Sequence, residues 1–452
     1  MEEKTYLIMG GAIMFWIELI IVMTIIYLGV RKGGTFLAFA GGIGMLIMTF
    51  VLHVTPADPP ITVILIMIAV ICAASTMQAC GGLDFLVIIA EKILRKNPKM
   101  ITVLAPIVSY IFTFMCGTGH IVYSLLPVIN EISIETGVRP ERPISASIIS
   151  SQQAITACPI SAATVAILAF MAESTYTSVN IFTLLLVCVP ATLIGTVAAA
   201  LAVIKKGKEL ADDPEFQRRV AAGQIEDLSI KQKKVKEVTK EAKRSVVIFL
   251  IAMLGIVFLG AVKAFLPTLA DGSKLPLTTV IEIFMLVAAA IMVLVTKLDS
   301  NKVLDQPVFR TGMFAVVLAF GLCWLVNTFI GDQASFITDN MSAMTNQYPW
   351  IYIIAVFIVG AITTSQSSTT MIMVPIGIAL GLPVNIIVAG WIACSSNYFI
   401  PASGQCVAAL AFDSAGTTKI GKFVLNHSYM IPGLICTSVS VTAAMLLGAV
   451  IF

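Results

Sequence analysis

Apolar runs of about 20 residues follow one another along nearly the whole chain, and a single stretch, residues 205–244, is both long and polar. An α-helix of about 20 apolar residues crosses the hydrocarbon of a bilayer. Backbone groups inside hydrocarbon must find their partners within the chain, so a sequence written this way has to fold as packed helices. Composition agrees. Only 12% of the 452 residues are charged and 58% are hydrophobic, with a mean hydropathy of +0.98, whereas a soluble domain carries roughly 25% charged residues. The expected class is an all-α polytopic membrane protein. No basic, aromatic-interleaved tract is present, so nucleic acid is excluded as a partner. The nine cysteines lie inside apolar runs without CxxC or metal spacing. They read as small buried hydrophobes, and no metal or cofactor is expected.

Charge then orients the runs. The chain opens with Glu2 and Glu3 and places Arg31 and Lys32 after the first apolar run, the reverse of a cleavable signal peptide. Basic residues stay cytoplasmic, so the N-terminus is expected outside. Residues 35–54 cross outward and 61–80 return. Residues 81–99 have apolar side chains at helical spacing opposite Lys92, Arg95, Lys96 and Lys99, as an amphipathic helix on the inner surface would. Residues 101–115 and 121–134 are apolar but each too short to cross, and CGTGH lies between them. Basic residues flank both ends, which predicts a re-entrant hairpin over 101–134. Residues 144–171 cross outward with a break at QQAITACPIS, and 181–204 return. The basic linker 205–244 is cytoplasmic and divides the molecule.

The second half, 245–452, repeats the plan. Three crossings are followed by an amphipathic outer-surface stretch at 331–347, a hairpin at 349–380 with tip TTSQSSTT, and a helix at 384–410 broken at SSNYFIPAS. A final crossing, 423–451, ends outside. Pro127 and Pro375 follow the two tips, and PISAATVAIL (159–168) is echoed by PASGQCVAAL (401–410). The expectation is two inverted-topology repeats, residues 1–204 and 245–452, each with a hairpin and a broken helix. Substrate sites in such folds lie near the midplane at discontinuous helices.

Four polar breaks are thereby expected to converge. They contribute Gly117, Thr118, Gly119 and His120; Ser151, Gln152, Thr156, Pro159 and Ser161; Ser365, Gln366, Ser367 and Ser368; and Ser396, Asn397, Pro401 and Ser403. Each break exposes a helix N-terminus worth about half a positive charge, and four sum to roughly two units. Hydroxyls and amides supply further donors. No Arg or Lys pair is available in the core to do this instead, which points to a small anion with two carboxylates. His120 is the only titratable group among the four clusters. Glu18 and Glu282 lie within crossings but away from the breaks, and read as scaffold or interface positions.

The stretches GVRKGGTFLAFAGGIG, AASTMQACGGLD, AEKILRKNPK, CGTGH, GVRPERPIS, ADDPEF, SQSSTT and AFDSAGTTKIGKFVLNHSYMIPG span nearly the whole chain. In these the sequence resembles the anaerobic C4-dicarboxylate transporter (Dcu) family of the ion-transporter superfamily. The resemblance implies a bacterial inner-membrane carrier exchanging fumarate, succinate, malate or aspartate. It also implies a homodimer with scaffold helices and a mobile transport domain, working as an elevator. The superfamily's hydroxyl-and-amide site falls on Thr118 and its neighbours, Ser151–Gln152, Ser365–Gln366–Ser367 and Ser396–Asn397. One departure stands out: the family's Pro-x-Tyr-Pro arrangement after the second break is replaced by Pro401, Ala402, Ser403 and Gly404. Substrate preference, and proton or Na+ coupling, are left open.

Other classes fit less well. An intramembrane enzyme would need paired Asp, HExxH, or a Ser with an assigned base; the first two are lacking and only His120 is near a hydroxyl-rich tip. A non-transporting dicarboxylate sensor would use the linker to dock a partner, and a channel would not need two opposed hairpins.

Overall fold

The computed structural model describes all residues except 1, 33–34, 177–178, 222–238, 335, 337–346, 402 and 421–425. Helices dominate. Among the described residues there is no strand, only an isolated bridge between Thr268 and Lys274. Eight helical segments among them are long and apolar enough to cross a membrane.

The first half contains α1 (Glu2–Lys32), α2 (Phe36–Leu46, continued by a π-helical turn to Val51), α3 (Ile61–Ala79) and α4 (Gly82–Lys96). Then come α5 (Ile101–Cys116), α6 (Ile121–Glu135), α7 (Glu141–Ala157), α8 (Ala162–Ala172) and α9 (Ile181–Val203). A short α10 (Pro214–Ala221) lies in the linker. The second half contains α11 (Lys240–Ala261), α12 (Leu277–Thr296), α13 (Pro307–Leu318) and, after a second π-helical turn, α14 (Trp324–Asp332). It closes with α15 (Trp350–Thr363), α16 (Gln366–Ala379), α17 (Val384–Ile392), α18 (Gly404–Phe412) and α19 (Met430–Ile451). The two short helix pairs, α5/α6 and α15/α16, fall where hairpins are expected. The interruptions α7/α8 and α17/α18 fall at the two polar breaks. The last helix starts later than the expected 423, because residues 426–429 form turns.

Burial sorts these helices into centre and rim. Nearly every residue of the α7–α8 span is buried, whereas α12 buries only Val280, Ile281, Met285, Ala288 and Met292. The exposed side of the rim is apolar, with Ile251, Leu254, Leu294, Leu446 and Val450 outward. Such a surface suits lipid or a second copy and not water, since soluble monomers rarely expose large contiguous apolar patches. At the centre, α5 packs on α7, α9 on both α7 and α19, and α8 on α16. At one side α3 packs on α12 and α13, and α2 on α13 and α14. Glycine permits the closest approach here: a Cβ on Gly41 would collide with the Gly321 carbonyl in the π-helical turn.

Two peripheral expectations are refined. The amphipathic α4 does not lie free on a surface, because Leu86, Ala90 and Leu94 are buried and the helix packs on α6 and α11. Arg95 on its polar side bonds Glu91 at 2.8 Å, Glu131 at 2.7 Å and Glu135 at 3.0 Å, tying α4 to the hairpin. The start of the linker is likewise anchored, Arg139 pairing with Asp213 and Arg142 with Glu209. The amphipathic stretch 331–347 lies mostly outside the described residues, as does the middle of the linker. All nine cysteines are free, and eight are buried. Glu18 is buried against α14, where its carboxylate accepts from Gln333 Nε2.

Candidate functional site

The first interruption has a chemical cause. In a continuous helix residue 159 would donate to the Ile155 carbonyl, but proline has no N–H. Ser161 Oγ takes over that carbonyl at 2.7 Å and Thr164 Oγ1 reaches it at 3.1 Å. The same Ser161 Oγ caps α8 by accepting the Thr164 N–H at 3.1 Å. One hydroxyl therefore both seals the end of α7 and starts α8, a cap worth about 1 kcal/mol. In the second half Pro401 again lacks a donor and Ser403 again supplies the cap, although α17 itself ends earlier, at Ile392. Ser403 Oγ caps α18 by accepting the Cys406 N–H at 3.4 Å.

The hairpin tips reverse with residues in the left-handed region. Gly117 ends α5 at φ 70°, and its missing side chain leaves room for Ile160. Thr364 ends α15 at φ 50°, a strained choice for a β-branched residue. Ser365 then caps α16, its Oγ accepting the Ser368 N–H at 3.3 Å. His120 stands at the N-terminus of α6 without a capping bond and stacks on Tyr123, ring centroids 5.6 Å apart.

All four starting residues, His120, Ser161, Ser365 and Ser403, line one cavity of about 330 Å³. Around them the first tip adds Gly117, Thr118 and Gly119, and the second tip adds Thr364, Gln366 and Ser367. Asn397 and Gln405 come from the second broken helix. The opposite wall is Met67, Val70, Ile71 and Ala74 of α3 with Val308, Thr311, Gly312, Phe314 and Ala315 of α13. Among the described residues, none that lines the cavity is Asp, Glu, Lys or Arg. An anion entering this space meets helix N-termini, hydroxyls and amides instead of side-chain cations.

Several predicted residues stand behind the cavity, not on it. Ser151 bonds Thr113 Oγ1 at 2.8 Å, Thr156 donates to the Gln153 carbonyl at 2.9 Å, and Ser396 donates to the Phe357 carbonyl at 2.6 Å. Pro159, Ser368 and Pro401 also do not line it. Gln152 joins the breaks: its Nε2 donates to Ser403 Oγ at 3.5 Å, while its backbone carbonyl accepts from Gln366 Nε2. Gln366 Nε2 also reaches Ser395 Oγ at 2.9 Å. Two acceptors here, Gln152 Oε1 and Asn397 Oδ1, are buried with no partner.

Sequence reasoning passed over Gln405, Tyr123, Thr364 and the α3/α13 wall. Gln405 Nε2 donates to the Gly119 carbonyl at 2.8 Å, bridging the first tip to the second broken helix. Its signal was present, as a lone amide in the first turn of an otherwise apolar helix. The wall carries a single hydroxyl, on Thr311, so little in its pattern separates it from other crossings.

The family model described as anaerobic c4-dicarboxylate membrane transporter matches residues 14–452. An Escherichia coli protein named anaerobic C4-dicarboxylate transporter DcuB is 38% identical over 432 residues, covering 94% of this chain and 97% of its own length. The C4-dicarboxylate transporter DcuA of Escherichia coli is 37% identical, covering 96% of this chain and 99% of its own. The one from Wolinella succinogenes is 36% identical over 96% and 99%. Among solved structures, the YdaH transporter of Alcanivorax borkumensis superposes with a TM-score of 0.56 at 16% identity, covering 90% of this chain and 88% of its own. MtrF of Neisseria gonorrhoeae gives 0.54 at 13%, over 90% and 84%. At those identities the two structures speak to the fold alone. A match across nearly every residue, with relatives of the same length, makes this chain a member of the anaerobic C4-dicarboxylate membrane transporter family.

Proposed function

We propose that the protein exchanges C4-dicarboxylates such as fumarate, succinate, malate and aspartate across the bacterial inner membrane. The substrate occupies the 330 Å³ cavity, its carboxylates facing the N-termini of α6, α8, α16 and α18. The observation that carries this reading is the pairing of four helix starts with the lack of any charged lining side chain. Four such ends supply about two units of positive partial charge, matching a dianion. Thr118, Ser367 and Asn397 are the side-chain donors, and Ser151, Gln152, Thr156, Pro159, Ser368, Ser396 and Pro401 hold the breaks in shape.

The two halves act as inverted repeats in a homodimer, with the hairpins and broken helices moving against α3 and α13 in an elevator cycle. Both chain ends lie outside and the basic linker inside, as the distribution of Lys and Arg requires. Proton or Na+ coupling would be additional to this cycle. An empty cavity leaves the positive ends without a counter-charge, so the loaded carrier crosses more readily than the empty one, and exchange outpaces net uptake. Proteoliposomes preloaded with succinate test this. They should take up labelled fumarate much faster than unloaded ones, and equal rates would defeat the exchange reading.

A further inference from the structure

A second cleft, of about 260 Å³, opens where the start of α7 meets the beginning of the linker and the turn before α19. We propose that it binds the headgroup of an anionic phospholipid, with phosphate among Arg139, Lys206 and Lys419 and an acyl chain along the ends of α9 and α19. Among the described residues, three cationic side chains line the cleft against one acid, Glu141.

Glu141 is already saturated. Its carboxylate accepts from Arg139 Nε at 2.8 Å, Lys206 Nζ at 3.0 Å and Ser428 Oγ at 2.8 Å. Arg139 also pairs with Asp213. Lys419, by contrast, has no acidic partner among the described residues, although its backbone is pinned to the rim. Its N–H donates to Ser428 Oγ at 3.0 Å, and its carbonyl accepts the Ser428 N–H at 2.9 Å. The cleft therefore carries, on an anchored stretch of backbone, a positive side chain that no described acid compensates.

The apolar surroundings select among anions. Helices α9 and α19 pack side by side. At this end they expose Leu201 (55%), Ile204 (41%), Ile431 (50%) and Leu434 (38%), and Ile431 lines the cleft itself. A free phosphate or dicarboxylate would use the charge and leave that strip bare, whereas a phospholipid uses both. Basic pockets between spanning helices on the cytoplasmic side suit anionic headgroups, each Lys or Arg contributing about 1 kcal/mol. The inference rests on the membrane orientation proposed above, and not on the identity of the transported solute.

The test is thermal unfolding of the detergent-purified full chain with phosphatidylglycerol, phosphatidylcholine or inorganic phosphate added. Phosphatidylglycerol should raise the apparent Tm saturably and the other two should not. Lys419→Gln should raise the half-saturating lipid concentration about fivefold, the factor equivalent to about 1 kcal/mol. Lys206→Gln should act in the same direction, but it also breaks a bond to Glu141, so the exposed Lys419 variant carries the test. Protection by inorganic phosphate equal to that by phosphatidylglycerol would overturn the lipid assignment in favour of a small-anion pocket. The absence of a lipid-specific shift, or a shift unchanged in Lys419→Gln, would also overturn it. Because the readout needs no transport, a failure of dicarboxylate exchange would leave this result standing.

Discussion

Replacing Ser365 with Asp separates the electrostatic account of the cavity from a purely steric one. Ser365 caps α16 through its Oγ and lines the cavity. Asp and Asn are both as good as Ser at a helix N-terminus, so either variant should keep the cap and the fold. They differ by one negative charge. At about 5 Å from a substrate carboxylate, with an effective dielectric near 20, that charge repels by about 3 kcal/mol. The second carboxylate adds to the repulsion. Dicarboxylate affinity in Ser365→Asp should therefore fall more than about 100-fold, while Ser365→Asn stays within about tenfold of the parent. Labelled-fumarate binding to purified protein measures this, with the unfolding temperature of each variant confirming an intact fold. If Ser365→Asp binds fumarate as well as Ser365→Asn does, the helix starts are not what holds the anion.

Four further outcomes are expected. Gln405→Ala removes the donor to the Gly119 carbonyl and should raise the KM for uptake about five- to tenfold, the value of about 1 kcal/mol for one neutral hydrogen bond; an unchanged KM would count against the bridge. Gly41→Leu forces α2 off the Gly321 carbonyl and should destabilise by about 1–3 kcal/mol or more. Gly42→Ala, where a Cβ meets nothing within 4 Å, should be neutral or stabilising by thermal unfolding. Burial holds His427 below its usual pKa, and its Nδ1 already accepts the Tyr429 N–H at 3.2 Å. Since the neutral ring is the form the fold keeps, stability should fall as pH drops below about 6.5, the ordinary imidazole value. His427→Gln should lose that component of the pH dependence, and an identical profile in both proteins would refute it.

Helix existence was legible wherever an apolar run met a physical stop. Pro159 with Ser161, and Pro401 with Ser403, announce a chain that loses one donor and immediately supplies a cap. CGTGH and TTSQSS announce tips because no run on either side is long enough to cross. The residues that converge could be named from these signals, since a break must place its hydroxyls where helix ends are exposed. Which hydroxyls face the cavity could not. Ser396 and Ser367 look alike in the sequence, yet Ser396 is taken by the Phe357 carbonyl and only Ser367 lines the space. That division depends on which neighbouring carbonyl lacks a partner, a fact of packing between distant segments. The packing of α4 was hidden for a similar reason, because two of the three acids that hold Arg95, Glu131 and Glu135, sit on another helix.

The α3/α13 wall has a mechanical consequence. Its one hydroxyl, on Thr311, is occupied by the Pro307 carbonyl at 2.6 Å, and every other side chain it turns to the cavity is apolar. Carboxylates bound there as proposed would find donors on one side of the chamber and none on the other, since the Thr311 proton is already given to Pro307. Any glide of the breaks past that greasy face would cost the passenger no hydrogen bond, so the resistance to movement would come from shape and not from chemistry.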